Sequence, residues 1–112
     1  MPICYAVIAD IVGSRDLPDR AQAQRTFTDV LARAGEGLAL LQSPYATVGD
    51  EFQAIADSLG AALTLTLRTQ LLLPGALSLR FGVGAGETRE VGAADGAAVQ
   101  DGSAWWLARE AI

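Results

Sequence analysis

The sequence predicts an α+β domain in which an antiparallel sheet carries two helices on one face. Three observations predict it. Residues 3–12, 45–48, 52–56 and 77–85 have the apolar or alternating character of strands. Two longer stretches between them repeat apolar residues at three- and four-residue spacing, the period of a helix. Glycine, proline, serine and aspartate separate each run from the next.

Each element has its own warrant. Residues 3–12 are apolar on both faces, which places the strand centrally with cover on at least one side. Gly13, Ser14, Arg15 and Asp16 break it. Leu17, Pro18 and Asp19 open a helix, because proline is tolerated in a first turn and acids are favoured there. Phe27, Val30, Leu31, Ala34, Leu38 and Leu41 form its core-facing stripe, although Gly35 and Gly37 argue against one uninterrupted helix. Ser43-Pro44 ends that element, and residues 45–48, the turn at Gly49-Asp50 and residues 52–56 read as a hairpin.

Asp57-Ser58 cap a second helix running to about residue 73, with Leu59, Leu63, Leu67 and Leu71 as its apolar stripe. Pro74-Gly75 stop it. In the next strand Leu77, Leu79, Phe81, Val83 and Ala85 alternate with Ser78, Arg80, Gly82, Gly84 and Gly86. The glycine face is bare enough for a helix, a ligand or a second chain to approach the backbone, and Arg80 shares that face, where an acid is its expected partner. Residues 87–102, rich in glycine, alanine and aspartate, receive no firm assignment, and residues 103–112 start a further helix. The order is that of a ferredoxin-like βαββαβ palm plus a C-terminal helix, read as one domain over residues 1–112. That topology sets the third strand antiparallel beside the first. Asp10, ending strand one, then neighbours Asp50 and Glu51 at the start of strand three.

Composition narrows the chemistry. The 112 residues include no lysine, histidine or asparagine, and all eight basic residues are arginine. Histidine-based triads, histidine metal sites, Schiff-base lysines and the P-loop lysine are therefore excluded. One cysteine, Cys4, precludes an internal disulfide and suits a reducing cytoplasm. A net charge of -5 argues against nucleic acid as a partner. No segment is long and apolar enough to suggest a membrane span. Trp105-Trp106 read as core or interface anchors.

Taken singly, Asp10 could be an acid capped by the backbone of Gly13 and Ser14, and Asp50 ordinary turn chemistry. Together they are less ordinary, because adjacent carboxylates repel unless a cation lies between them. Mg²⁺ favours one or two carboxylates plus substrate phosphates. The Gly13-Ser14-Arg15 loop, leading toward a helix N-terminus, offers a place for the phosphate.

Residues 5–15 (YAVIADIVGSR) and 48–53 (VGDEFQ) resemble the two signature segments of the SatD family. Residues 79–84 (LRFGVG) and 101–109 (DGSAWWLAR) are also similar to that family, so the resemblance spans nearly the whole chain. It implies a fragment of a longer protein. The same segments resemble, more distantly, class III nucleotidyl cyclases and GGDEF domains. That resemblance implies Mg²⁺ or Mn²⁺ held by Asp10 with Asp50 in a cyclase-like set or Glu51 in a GGDEF-like one, and the Ile11 carbonyl as a further ligand. It places Gly13, Ser14 and Arg15 against the phosphates and Arg109 at the developing charge, with a homodimer completing the site. Three departures count against cyclisation: Ala46 stands where cyclases carry a lysine, Trp105 where they carry an asparagine, and Val48 where a GGDEF signature has its first glycine.

Two readings follow. One is a domain binding a divalent metal and a nucleotide or other phosphorylated small molecule, with phosphoryl or nucleotidyl transfer as the reaction if it is an enzyme. The other is a non-catalytic dimerisation or ligand-sensing module with a degenerate cyclase-like site.

Overall fold

In the computed structural model, antiparallel pairing runs through the whole main sheet. Strand β1 (Cys4–Ile11) lies between β3 (Glu51–Ala56) and β4 (Leu79–Gly86), with β2 (Leu40–Ala46) outside β3, giving the order β2-β3-β1-β4. This is the expected βαββαβ arrangement. The structure describes residues 3–13, 16–47, 50–94 and 97–112, and of residues 90–94 and 97–100 the backbone alone.

Both faces of β1 are covered, as its apolar composition requires. Val7, Ala9 and Ile11 pack with residues of α1 (Arg20–Ala34) and α2 (Leu59–Leu72), among them Phe27, Leu31, Ala61 and Leu65. Cys4, Ala6 and Ile8 alternate to the other face, where Ala104, Trp105 and Ala108 of α3 (Ser103–Ala111) meet them. The C-terminal helix thus lies across the sheet from the first two.

The glycine face of β4 is what lets α3 sit so close. A β-carbon at Gly82 or Gly84 would land inside the van der Waals envelope of the Ala108 and Ala104 carbonyl oxygens, and one at Gly86 would stand 2.8 Å from the Ala104 nitrogen. Helix packing, rather than a ligand or a second chain, uses this face. At Gly102, which caps α3, φ is +125°, a conformation that L side chains rarely adopt.

Three expectations about elements need correcting. Helix α1 stops at Ala34, with Gly35 as its cap and Gly37 at φ +76°, so Leu38 and Leu41 leave the helical stripe. Leu38 instead packs beside Leu40 at the edge of the core, and Leu41 is exposed. Ser43-Pro44 does not end that segment but lies inside β2, at a register shift between Gln42 and Tyr45. Proline is tolerated there because β2 is an edge strand with a local irregularity.

The leucine stripe of α2 faces outward. Leu59, Leu63, Leu67 and Leu71 are 48–75% exposed, whereas Ala61, Ala62, Leu65 and Thr69 are buried. The helix is apolar on nearly all sides, so spacing alone could not choose the inner face. Small alanines permit close approach to the sheet, and Thr69 is buried with its hydroxyl donating to the Leu65 carbonyl at 2.7 Å. Finally, the unassigned segment forms a hairpin, β5 (Arg89–Ala94) with β6 (Ala97–Asp101). Its alanines and glycines gave no alternating pattern to read.

Candidate functional site

One transverse row of residues ends the main sheet. Asp10 on β1 pairs in register with Arg80 on β4 and with Glu51 on β3. Residues opposed in antiparallel strands share a face, so all three project toward the α3 side. Arg109, in the last turn of α3, reaches down onto Glu51. The result is a line of charges in which two adjacent carboxylates are flanked by an arginine at each end.

The contacts are specific. Arg80 Nη2 donates to Asp10 Oδ2 at 3.1 Å. Arg109 grips both oxygens of Glu51, with Nη2 donating to Oε2 at 3.0 Å and Nη1 donating to Oε1. Asp50 immediately precedes Glu51 and is bonded to Arg20, the first residue of α1. Its carbonyl accepts the Ile11 N–H at 3.0 Å, which places Asp50 directly beside the end of β1. Asp10, Ile11, Asp50 and Glu51 therefore lie together, as the topology demanded.

Behind the row runs a polar relay. The Tyr45 hydroxyl donates to Gln53 Oε1 at 3.2 Å, and Gln53 Nε2 donates to Glu51 Oε2 at 3.0 Å. Burial raises the Tyr45 pKa, keeping the hydroxyl a donor. For Glu51, partial burial pushes the pKa upward, but hydrogen bonds from Arg109 and Gln53, the Arg109 charge and Thr47 outweigh it. The carboxyl is held below its ordinary 4.5. The hydrogen bond to Glu51 in turn raises the Arg109 pKa against its own desolvation, helped by the charges of Glu51 and Asp10.

A pH dependence follows. Since folded Glu51 binds its proton less readily than the unfolded chain does, the pair stabilises the fold fully above pH ~4.5 and loses that effect as pH falls through the lowered value. Arg109 is largely solvent-exposed, which limits the contribution to about 1 kcal/mol. Melting temperature measured by circular dichroism between pH 3 and 7 should fall less steeply at the acid end in Glu51→Gln than in wild type. An unchanged acid limb would remove Glu51 as a determinant.

A cleft of about 400 Å³ adjoins the row, lined by Gln53, Asp101, Trp105, Trp106 and Arg109. Trp106 is exposed and donates its indole N–H to Asp101 at 3.2 Å. Asp101 is held below the usual carboxylate range by the Gly102 N–H, by Arg89 and by Trp106. Trp105 is buried, and among the described residues its indole N–H has no acceptor.

The phosphate loop fares differently. Gly13 has φ +64° and its carbonyl accepts the Asp16 N–H, but Ser14 and Arg15 lie outside the described residues, as do Val48 and Gly49. The loop does not run straight into a helix: α1 begins only at Arg20, and the Asp19 carboxylate already accepts the Gln22 N–H at 3.0 Å. A charged cap on that N-terminus competes with any phosphate there. Sequence reasoning overlooked Arg20, Tyr45 and Gln53; only Gln53 left a trace, two positions from Glu51 and so on its face.

As metal donors, Asp10, Asp50 and the Ile11 carbonyl are hard oxygens, the kind Mg²⁺ and Mn²⁺ prefer, and a pair of carboxylates with phosphate oxygens suits Mg²⁺. Among the described residues no group of three or more histidine, cysteine, aspartate or glutamate side chains converges as a ready-made cage. Arginines occupy the carboxylates instead. Asp10 is held by Arg80 and Asp50 by Arg20, so an ion at this sheet end would have to bring further ligands with it.

The SatD family profile matches residues 4–112. Among solved structures, the chain is similar to the catalytic core of a rhodopsin-guanylyl cyclase with converted specificity, determined in complex with ATPαS. The TM-score is 0.59 at 12% identity, covering 98% of this chain and 71% of that one. At that identity the likeness concerns the fold. No curated protein matches the sequence. Among the described residues no helix is long and apolar enough to cross a membrane.

Proposed function

The chain belongs to the SatD family, and we propose that its domain binds a nucleotide or similar phosphorylated small molecule together with Mg²⁺ or Mn²⁺. The observation that carries this reading is the meeting of Asp10, Ile11 and Asp50 at one sheet end, beside three arginines and an open cleft. Asp10, Asp50 and the Ile11 carbonyl would hold the ion, which would supply charge neutralisation at the phosphates. Glu51, both of whose oxygens are gripped by Arg109, serves as the resting partner of that arginine beside the site rather than as a metal ligand. The cleft gives a heteroaromatic base the exposed Trp106 face to stack on. Should transfer occur, Arg109 is the group placed to stabilise developing charge.

Calorimetric titration tests this. ATP and GTP should each be titrated with Mg²⁺, with Mn²⁺ and with neither. Heat that depends on the ion is expected, and no heat at millimolar ligand counts against the reading.

The exposed leucine row favours a second reading, a dimerisation module. Leu59, Leu63, Leu67 and Leu71 form one i±4 ridge, and such ridges interdigitate with an identical ridge at about -50°. A second copy of this chain is the occupant it suits: α2 has no acidic residue, and its one charge, Arg68, turns away to donate to the Ala34 and Glu36 carbonyls. Two copies thus meet without opposing like charges, despite a net charge of -5 each. This face is across the sheet from the charge row, so such a dimer leaves the row open. Sedimentation velocity should show a dimer in wild type and a monomer in Leu67→Glu. A wild type monomeric at hundreds of micromolar overturns the dimer.

A further inference from the structure

Of the four ion pairs among the described residues, three crowd the same sheet end: Arg80 with Asp10, Arg109 with Glu51 and Arg20 with Asp50. Exposed pairs contribute little to stability, so the fold does not demand this concentration. The three positive and three negative charges cancel. A set that is neutral alone becomes an anion site as soon as a cation takes over the carboxylates.

We infer that Arg20 and Arg80, together with Arg109, form a polyphosphate grip that rests on Asp50, Asp10 and Glu51 until ligand arrives. Cation binding at the two aspartates displaces Arg80 and Arg20, which then turn to phosphate oxygens. The exchange rests on the reading above that these aspartates hold a divalent ion. Three features of the structure support it. The side chains of Arg20, Arg80 and Arg109 are 46%, 62% and 57% exposed, so each can re-aim without disturbing the core. Among the described residues Arg80 engages only Oδ2 of Asp10, so Oδ1 can begin binding an ion before the arginine has left. The usual alternative source of positive potential, the N-terminus of α1, is already capped by Asp19. Guanidinium forks match phosphate oxygens in geometry, which suits them to this task.

The exchange makes effects of opposite sign. In Arg80→Gln, Mn²⁺ alone should bind several-fold more tightly, because its competitor for Asp10 is gone. Inorganic triphosphate with saturating Mn²⁺ should bind about tenfold more weakly, because one charge-assisted contact is lost. Arg20→Gln should behave alike, and Arg89→Gln, whose pair with Asp101 lies outside the row, should change neither. Calorimetry of Mn²⁺ and of triphosphate reads both, with melting temperature confirming that each variant is folded. Unchanged triphosphate affinity in Arg80→Gln, or no triphosphate binding by wild type, overturns the grip. Triphosphate binding that Arg80→Gln weakens but Mn²⁺ does not affect leaves the grip standing and removes the cation reading beneath it.

Discussion

Gly84→Ala is expected to lower the melting temperature by about 10–20 °C and to lift α3 from the sheet. The added methyl would occupy space held by backbone, the Ala104 carbonyl oxygen and the Ala108 nitrogen, which cannot rotate aside as a side chain can. Neither can β4 retreat, because Gly84 is fixed in register opposite Ala6. Helix α3 must move, opening a gap over Ala6, Ile8 and Ile55. Overpacking of ordinary side chains costs about 1–3 kcal/mol, and a clash with backbone belongs at or above the top of that range. For a domain of this size that corresponds to the stated shift. The chain's two tryptophans both lie on α3, so a red-shifted emission from Trp105 reports the lifted helix directly. Gly60→Ala is the contrasting control. It meets nothing nearer than the Ser58 hydroxyl at 4.0 Å, lies within α2, and should raise stability by up to about 1 kcal/mol. Equal effects at the two glycines would contradict the packing described.

The same glycine face shows what the sequence could and could not tell. Alternation along residues 77–86 was legible because strand periodicity survives even when one face carries no side chains. What approaches that face is a tertiary fact, fixed by where α3 docks, and no local pattern encodes it. The meeting of Asp10 with Asp50 and Glu51 was legible because topology sets it once the element order is known. Their arginine partners were less so. Arg80 could be placed on the correct face by alternation, but Arg20 meets Asp50 across 30 positions and from a helix, where strand register gives no guidance. On α2 the failure has another cause. A helix apolar all round leaves the choice of inner face to volume, and Ala61 and Ala62 win over larger leucines because the sheet lies close.

Asp10→Ala should weaken ion-dependent nucleotide binding by about 100-fold or more while leaving thermal stability unchanged or slightly higher. Loss of an outer-shell partner of a metal typically costs 10–100-fold, and Asp10 would be a direct ligand. Stability should move the other way because Asp10 and Glu51 stand directly opposed on neighbouring strands, where like charges destabilise. Against that gain stand the pair with Arg80, whose side chain is mostly in solvent, and the weaker attraction of the Arg109 charge. Removing Asp10 also releases Arg80, so triphosphate without any ion should bind Asp10→Ala at least as well as wild type. Calorimetry and thermal melts on one preparation separate these effects. A large fall in melting temperature would make Asp10 a structural residue, since its side chain then supports the fold. Nucleotide affinity that survives the substitution would move the ion away from the end of β1 and leave the arginines as the whole of the binding chemistry there.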